Sequence, residues 1–505
     1  GVGALALIYF SILSPKNIAF DARWKHLALA QHYAADGKIA RFPEGWLPAS
    51  APQLASRLYT WALLLPVGRF FDKVMLAAHI EFVGFAVSLV GIPALVRRLV
   101  PHSRSAMTWA ARFLFPGIFL YDSSLSGGAD HIAAIFSAPI FLALWRAWPR
   151  LGVRECMLLA FPIAGVIMTK YSAAFALMAF VVVAIAARSA WLGVRRLWRR
   201  FKTGAPGEGH ALGWLAGPLA CIATGLLLTS VLWAKNWVWY GDPLYPLLHK
   251  YLPATPWDSD ASWLHEHSYK AQHWKPAAVN AKTVKDSLKV LLTFSFIPND
   301  WKKFHGVVPV FGSLFTLSLL ALPILGSWHK SGRRRLWALC AAIHCGILIW
   351  WWTHHQDRYL QVLVPWMTAA LAAIMVLIWR RGVAVRAALV LFVGFQVAWG
   401  SDVYFIPGHA HTRSAAKTSI DLVISGYSHK TAGRLTAFGY ETVAAHLPVK
   451  ARVLLHEQHP HLGLQRPVVH DWVSWQAGIN YGRLKTPYAI DAIYRKMGVT
   501  HLLWG

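Results

Sequence analysis

Apolar runs alternate along this chain with two kinds of connection, one short and crowded with arginine and lysine, the other long and holding most of the acids. The runs fall at 2–13, 74–96, 106–121, 131–148, 156–169, 172–187, 211–233, 307–328, 337–352, 360–379 and 385–399. A helix crosses a hydrocarbon layer of about 30 Å with about 20 apolar residues. The pattern therefore predicts a polytopic α-helical membrane protein of about eleven transmembrane helices. The runs at 156–169 and 172–187 are short, which implies tilt or enclosure among other helices. Within the long connection after the first run, Leu54, Leu58, Trp61, Ala62 and Leu65 recur at helical spacing, as in a helix lying in the membrane interface.

The short connections carry Arg97, Arg98 and Arg104; Arg146, Arg150 and Arg154; Arg188 with Arg195, Arg196, Arg199, Arg200 and Lys202; Lys330 with Arg333, Arg334 and Arg335; and Arg380, Arg381 and Arg386. Lysine and arginine resist translocation, so these ends read as cytoplasmic. The loops 14–73 and 234–306, and everything after the last run, then face outside. The tail has a different texture. Helical stretches at 434–446 and 487–497 alternate with strand-like runs at 452–456, 467–469 and 500–504, which predicts a small extracytoplasmic α/β domain with a parallel sheet. The division expected is a transmembrane module over 1–400 and this domain over 401–505. A few residues are expected before Gly1, and the domain reads as cut short after its last strand.

Composition fits that architecture: 56% of the residues are hydrophobic, 14% are charged, and there are 27 Trp. The net charge of +28 raises nucleic acid as a partner, but a basic patch for that purpose gathers on one solvated face, whereas these cations punctuate apolar runs. Cys156, Cys221, Cys340 and Cys345 all lie in apolar runs and lack metal-type spacing, so neither a disulfide framework nor a thiolate metal site is expected. No internal repeat is evident.

The candidate chemistry sits at the acid-bearing ends. Asp21 follows the first run, beside Arg23, Trp24, Lys25 and His26. A carboxylate there is close enough to the bilayer to meet a lipid headgroup and wet enough to take a proton from a nucleophile. The alternative is a helix N-cap, and the same choice applies to Asp130 in the next outer turn. Asp122 follows the end of a run and is the weaker candidate. Arg358 and Tyr359 begin a run where a guanidinium suits a phosphate, or simply snorkels to the interface. His354 and His355 beside Asp357 form too sparse a set for a metal centre, so no metal site is assigned. Lys170 joins two short runs, where a cation needs a partner. His79, Glu81 and His344 lie within runs and read as helix–helix hydrogen-bonding groups. The aromatic turn Trp237–Pro246, which includes Tyr245, has the rigidity of a pocket wall or an interfacial anchor.

Taken together, Phe20-Asp21-Ala22-Arg23-Trp24, Asp130, Thr169-Lys170-Tyr171, the turn Gly241-Asp242-Pro243-Leu244-Tyr245-Pro246 and Arg358-Tyr359 resemble the GT-C superfamily of polyprenyl-phosphate-sugar glycosyltransferases. The likeness is to the branch with protein O-mannosyltransferases and the lipid A aminoarabinose transferase. Asp242 stands where that family usually has Asn, and Asp21-Ala22 replaces the Asp-Glu pair of the protein O-mannosyltransferases, which leaves the acceptor open among lipid, glycan and protein. The resemblance implies an inverting transfer at the outer face of a bacterial inner membrane. Asp21 would be general base with Asp130 as the second acid; Arg358, Lys170, Tyr359 and His355 would hold the donor phosphate; and Arg23, Trp24 and Tyr245 would line the substrate pocket. No cofactor is required, although a divalent cation could replace part of the clamp. The competing readings are a lipid or solute transporter, which places ionisable groups in broken mid-membrane helices, and a non-catalytic glycan-binding membrane protein.

Overall fold

The computed structural model describes residues 20–66, 72–100, 127–203, 213–252, 254–257, 260–270, 274–297, 313–323, 330–399, 439–456 and 461–504, with isolated positions elsewhere. Most of the first expected span, all of the third, the start of the eighth, Asp122 and most of 400–438 lie outside these residues.

Five described helices are long and apolar enough to cross a membrane: Lys73–Leu99, Tyr171–Lys202, Ala216–Tyr240, Gly332–Thr353 and Asp357–Trp379. In chain order the elements used below are α1 (Leu27–Asp36), α2 (Leu54–Leu64), α3 (Lys73–Leu99), α4 (Asp130–Ala134), α5 (Ser137–Ala147), α6 (Val153–Thr169), α7 (Tyr171–Thr203), α8 (Ala216–Tyr240), α9 (Lys330–Thr353), α10 (Val364–Trp379) and α11 (Val383–Trp399). Asp72 starts α3 by accepting hydrogen bonds from the Val74 and Met75 amides, which satisfies donors that a helix start otherwise leaves bare.

The sequence pattern misjudges two elements and leaves the local form of a third unread. The run at 131–148 is two short helices, α4 and α5, rather than one span. The helix after Lys170 does not stop before Arg188 but continues for 33 residues through the cationic cluster, because arginine and lysine are good helix formers and charge alone does not end a helix. The last long run opens with a 3-10 segment, Asp357–Leu363, before α10 begins.

α10 is the most enclosed of the long described helices. Every residue from Val364 to Val376 is buried, as expected of a helix that is apolar all round. Ser137 donates to the Val362 carbonyl (2.5 Å), and Trp366 Nε1 donates to the Ser137 carbonyl (2.6 Å), which fixes the start of α10 against α5. Outward-facing Leu226, Leu227 and Val231 on α8 and Val390 and Leu391 on α11 are strongly exposed, an apolar surface that lipid, not water, accommodates. Four of the arginine-bearing connections meet at one end of the bundle: Arg335 donates to the Arg98 carbonyl and lies over the Trp145 ring, and Arg188 donates to the Trp148 and Pro149 carbonyls.

At the other end a three-stranded sheet, β1 (Val453–Leu455), β2 (Val468–His470) and β3 (His501–Leu503), has the order β2-β1-β3, both pairings parallel. Tyr440–His446 and Pro487–Lys496 supply its helices. The sheet is bonded directly to the first connection. The His461 and Leu462 amides donate to the Arg23 carbonyl, Gly463 N donates to Gln31 Oε1 at 2.7 Å, and His470 N donates to Glu44 Oε1 at 2.9 Å.

Glu44 gives this contact a pH dependence. It is fully buried, its Oε2 has no hydrogen-bond partner among the described residues, and burial pushes its carboxyl up to about 8, against smaller lowering from backbone donors. A carboxyl raised on folding contributes stability that is complete below its unfolded value and lost as pH rises through about 8. Between pH 5 and pH 9 the wild type is expected to lose about 4 kcal/mol more than Glu44→Gln does. Paired thermal or denaturant midpoints across that range measure the difference, and parallel pH profiles would refute it.

Candidate active site

The site begins with a π turn. Residues Ala22–His26 form one, with the Leu27 amide donating to the Ala22 carbonyl; such turns insert one residue into a helix and recur at functional sites. Asp21 sits at its head but does not cap it, since its side chain accepts no hydrogen bond from the turn's amides. Instead Oδ2 pairs with Arg358 Nη2 at 2.7 Å, and Oδ1 accepts from Trp24 Nε1 at 3.3 Å. The acid and the guanidinium are each about one-fifth exposed.

Asp130 is likewise no cap. The N-cap of α4 is Ala129, which makes no side-chain bond, and Asp130 Oδ1 pairs with Lys170 Nζ at 2.5 Å. Lys170 owes its place to the break between α6 and α7, where its backbone is extended. Its ammonium also lies 3.6 Å from the centroid of the Tyr359 ring, and the Arg358 guanidinium lies 5.2 Å from the same ring. Tyr359 is thus the floor on which both cations rest, a favourable use of the ring face.

Lys25 completes the cluster. It has no hydrogen bond or ion pair among the described residues; burial lowers its pKa, opposed by Tyr359 and Asp21. For Asp21, burial acts to raise the carboxyl, but Arg358, Lys25, His26 and Lys170 together hold it far below the usual carboxylate range. Asp130 follows the same logic, with burial outweighed first by Lys170 and then by Arg358. Burial lowers Lys170 against the pull of Asp130. Burial and neighbouring Lys25 bring His26 down to about 3, leaving a neutral imidazole. Among the described residues, two carboxylates and three basic side chains therefore share one partly desolvated patch, an excess of one basic group.

Glu81 positions the Asp130 arm. From within α3 it accepts hydrogen bonds from Gly127 N (2.7 Å), Gly128 N (2.9 Å) and His131 Nδ1 (2.7 Å). Tyr59 donates to the Gly128 carbonyl. Gly127 has φ +95°, and a Cβ there would meet Leu27 at 2.6 Å, so only glycine fits. Glu81→Ala leaves three buried donors without their acceptor at about 1–3 kcal/mol each. It is expected to lower thermal stability sharply, whereas Glu81→Gln, which keeps an oxygen for the two amides, loses much less. Equal losses in a thermal unfolding series would mean that Glu81 only fills space.

The other expected site residues lie as follows. Trp24 touches Asp21, but its ring belongs to an aromatic cluster with Trp46 and Trp475. Arg23 turns away, its Nε donating to the Ile18 carbonyl. Tyr245 is buried against Tyr240 and Trp257. His355 stacks on Trp351 with Nδ1 at that residue's carbonyl, and it is His354 that stacks on Tyr359 at 4.8 Å. Burial, then Arg358 and Lys170, bring His354 down to about 3. Glu81 bonds across to another element as expected and His79 reaches Tyr9, but among the described residues His344 hydrogen-bonds only within its own helix, to the Cys340 carbonyl. The sequence places Lys25 in the cationic cluster beside Asp21 and offers the His354–His355 pair for the phosphate, but it assigns Lys25 no role and favours His355 over His354; ordinary helical spacing does not reveal a π turn. Among the described residues, no group of three or more His, Cys, Asp or Glu is placed to hold a metal ion.

A family model described as a domain of unknown function (DUF8201) matches residues 216–364. No curated protein matches the chain in sequence. Among solved structures, ArnT from Cupriavidus metallidurans bound to undecaprenyl phosphate aligns at a TM-score of 0.54 and 12% identity, over 98% of this chain and 90% of that one. The apo form of ArnT aligns at 0.52 and 12%, over 95% and 87%. The archaeal oligosaccharyltransferase AglB from Archaeoglobus fulgidus, in complex with an inhibitory peptide and a dolichol-phosphate, aligns at a TM-score of 0.45 and 14% identity, over 99% of this chain and 68% of that one. The chain thus shares its overall fold with ArnT.

Proposed function

We propose that this protein is a membrane glycosyltransferase that moves a sugar from a polyprenyl-phosphate donor to an acceptor hydroxyl, with inversion, at the outer face of a bacterial inner membrane. In this reading the bundle crosses the membrane about eleven times, and the C-terminal sheet with its helices is an extracytoplasmic domain. One observation carries the proposal: Asp21 and Arg358 meet at 2.7 Å in a patch where, among the described residues, cations exceed carboxylates by one, at the end of the bundle remote from the arginine clusters. That ArnT is solved with undecaprenyl phosphate bound supports the donor class.

The pairing suggests an order of events. With Arg358 on Asp21, the carboxylate is too weak a base to assist a hydroxyl. A donor phosphate offers Arg358 and Lys170 a better anion, and as Arg358 turns toward it Asp21 loses its strongest counter-charge and its basicity rises. The acceptor oxygen then attacks the anomeric carbon from the face opposite the phosphate, its proton passing to Asp21. The anomeric C–O bond to phosphate breaks, and the electron pair leaves with the polyprenyl phosphate, whose charge the cations offset. The leaving group is stable as an anion, so it needs no acid. A divalent cation would add to the clamp without changing Asp21's part.

Incubation of the detergent-purified protein with a panel of polyprenyl-phosphate sugars and candidate lipid, glycan and protein acceptors tests the proposal. Release of free polyprenyl phosphate with at least one pair is expected, and binding of donor before acceptor. No release with any pair would remove the donor class.

A further inference from the structure

The arginine-bearing end holds a feature that the sugar-transfer reading does not use. A cavity of about 800 Å³ opens there between the end of α3, the end of α5 and the start of α6, and Arg97, Arg98 and Arg146 line it with Trp145, Glu155 and Leu158. None of the three guanidiniums makes a side-chain hydrogen bond or an ion pair to a carboxylate among the described residues. Glu155 lies in the first turn of α6, where the helix dipole favours an acid. The cavity therefore keeps a surplus of positive charge.

Its depth in the membrane follows from α3. Glu81, which holds the Asp130 turn, and Arg97 lie sixteen positions apart on that one helix, about 24 Å at 1.5 Å per residue. The cavity thus sits near the opposite boundary of the hydrocarbon layer. Trp145 marks that boundary, as interfacial tryptophans do, and its ring also carries the Arg335 guanidinium at 4.8 Å. Leu158, exposed on the same wall, offers an apolar side to a hydrocarbon chain. Guanidiniums bind phosphate oxygens through paired donors, and each basic group near an anionic lipid surface adds about 1 kcal/mol of attraction.

We propose that this cavity binds the phosphate headgroup of an anionic phospholipid from the leaflet opposite the sugar-transfer site, with the acyl chain along the Leu158 wall. The proposal does not depend on the transfer reaction. Phosphatidylglycerol and phosphatidylcholine are the probes, and their affinities for the purified full-length protein are measured by native mass spectrometry or displacement of a fluorescent lipid. The wild type is expected to prefer phosphatidylglycerol at least about tenfold. The triple variant Arg97→Gln, Arg98→Gln, Arg146→Gln is expected to lose that preference. A control triple, Arg199→Gln, Arg334→Gln, Arg380→Gln, removes as many cations from other elements at the same end and is expected to keep it. If the first triple does not fold, Arg146→Gln alone serves, with a loss of about fivefold expected from this exposed side chain. Equal losses in both triples would reduce the site to general surface charge and overturn the proposal. So would displacement of the lipid by comparable concentrations of glycerol phosphate, which would make the ligand a soluble anion.

Discussion

Asp21→Asn is expected to lower sugar-transfer turnover by about a thousandfold while leaving donor affinity unchanged or raised. Asparagine matches the carboxylate in shape and can still accept from Trp24 Nε1, now 3.3 Å from Oδ1, so the π turn has no reason to rearrange. What disappears is the proton acceptor. The anion that pairs with Arg358 also disappears, which removes one competitor for the guanidinium before the donor phosphate arrives. Steady-state turnover together with equilibrium binding of a polyprenyl phosphate separates this account from a structural one. A structural role for Asp21 loses both quantities together; a base loses only the first. A fall of less than tenfold in turnover would take the role from Asp21.

Arg358→Gln is expected to act in the opposite sense, weakening donor binding and lowering kcat/KM by at least about a hundredfold, because in the proposed mechanism the guanidinium both gathers the phosphate and offsets the charge that develops on it. Arg358→Lys is expected to recover little, since an ammonium lacks the planar pair of donors. Removing Arg358 also strands Asp21 without its principal counter-charge. Both partners are about one-fifth exposed, so the loss in stability should fall short of the 3–5 kcal/mol typical of a fully buried pair, at about 1–3 kcal/mol. The double variant Asp21→Asn, Arg358→Gln should then be more stable than Arg358→Gln alone, the mark of a coupled pair. Additive losses in denaturant unfolding would mean that the two side chains do not depend on one another.

Much of this site was legible along the chain because a membrane simplifies the problem. Once Arg97, Arg146, Arg200, Arg335 and Arg381 assign one end of the helices, Asp21, Asp130, Lys170 and Arg358 necessarily share the other, and few charges remain to pair with them. The capping alternative for both acids could not be decided there, because it turns on whether a cation from a distant segment arrives: Lys170 is forty residues from Asp130. Fine geometry was also hidden. Periodicity of 3.6 does not announce the π turn that brings Lys25 alongside Asp21, or the 3-10 entry to α10 that presents Arg358. Of two adjacent histidines, the chain gives no sign that Trp351 claims His355 and leaves His354 to Tyr359. The tail's parallel sheet was readable from its alternation of strands and helices, but its attachment through Arg23, Gln31 and Glu44 was not, since backbone amides make those bonds.

Determining the structure with an undecaprenyl phosphate bound tests the account most directly. The lipid phosphate is expected between Arg358 and Lys170, above Tyr359, with the Arg358–Asp21 contact lengthened beyond ion-pair distance and Asp21 open toward the acceptor side. A phosphate seated elsewhere while that 2.7 Å contact stays intact would contradict it.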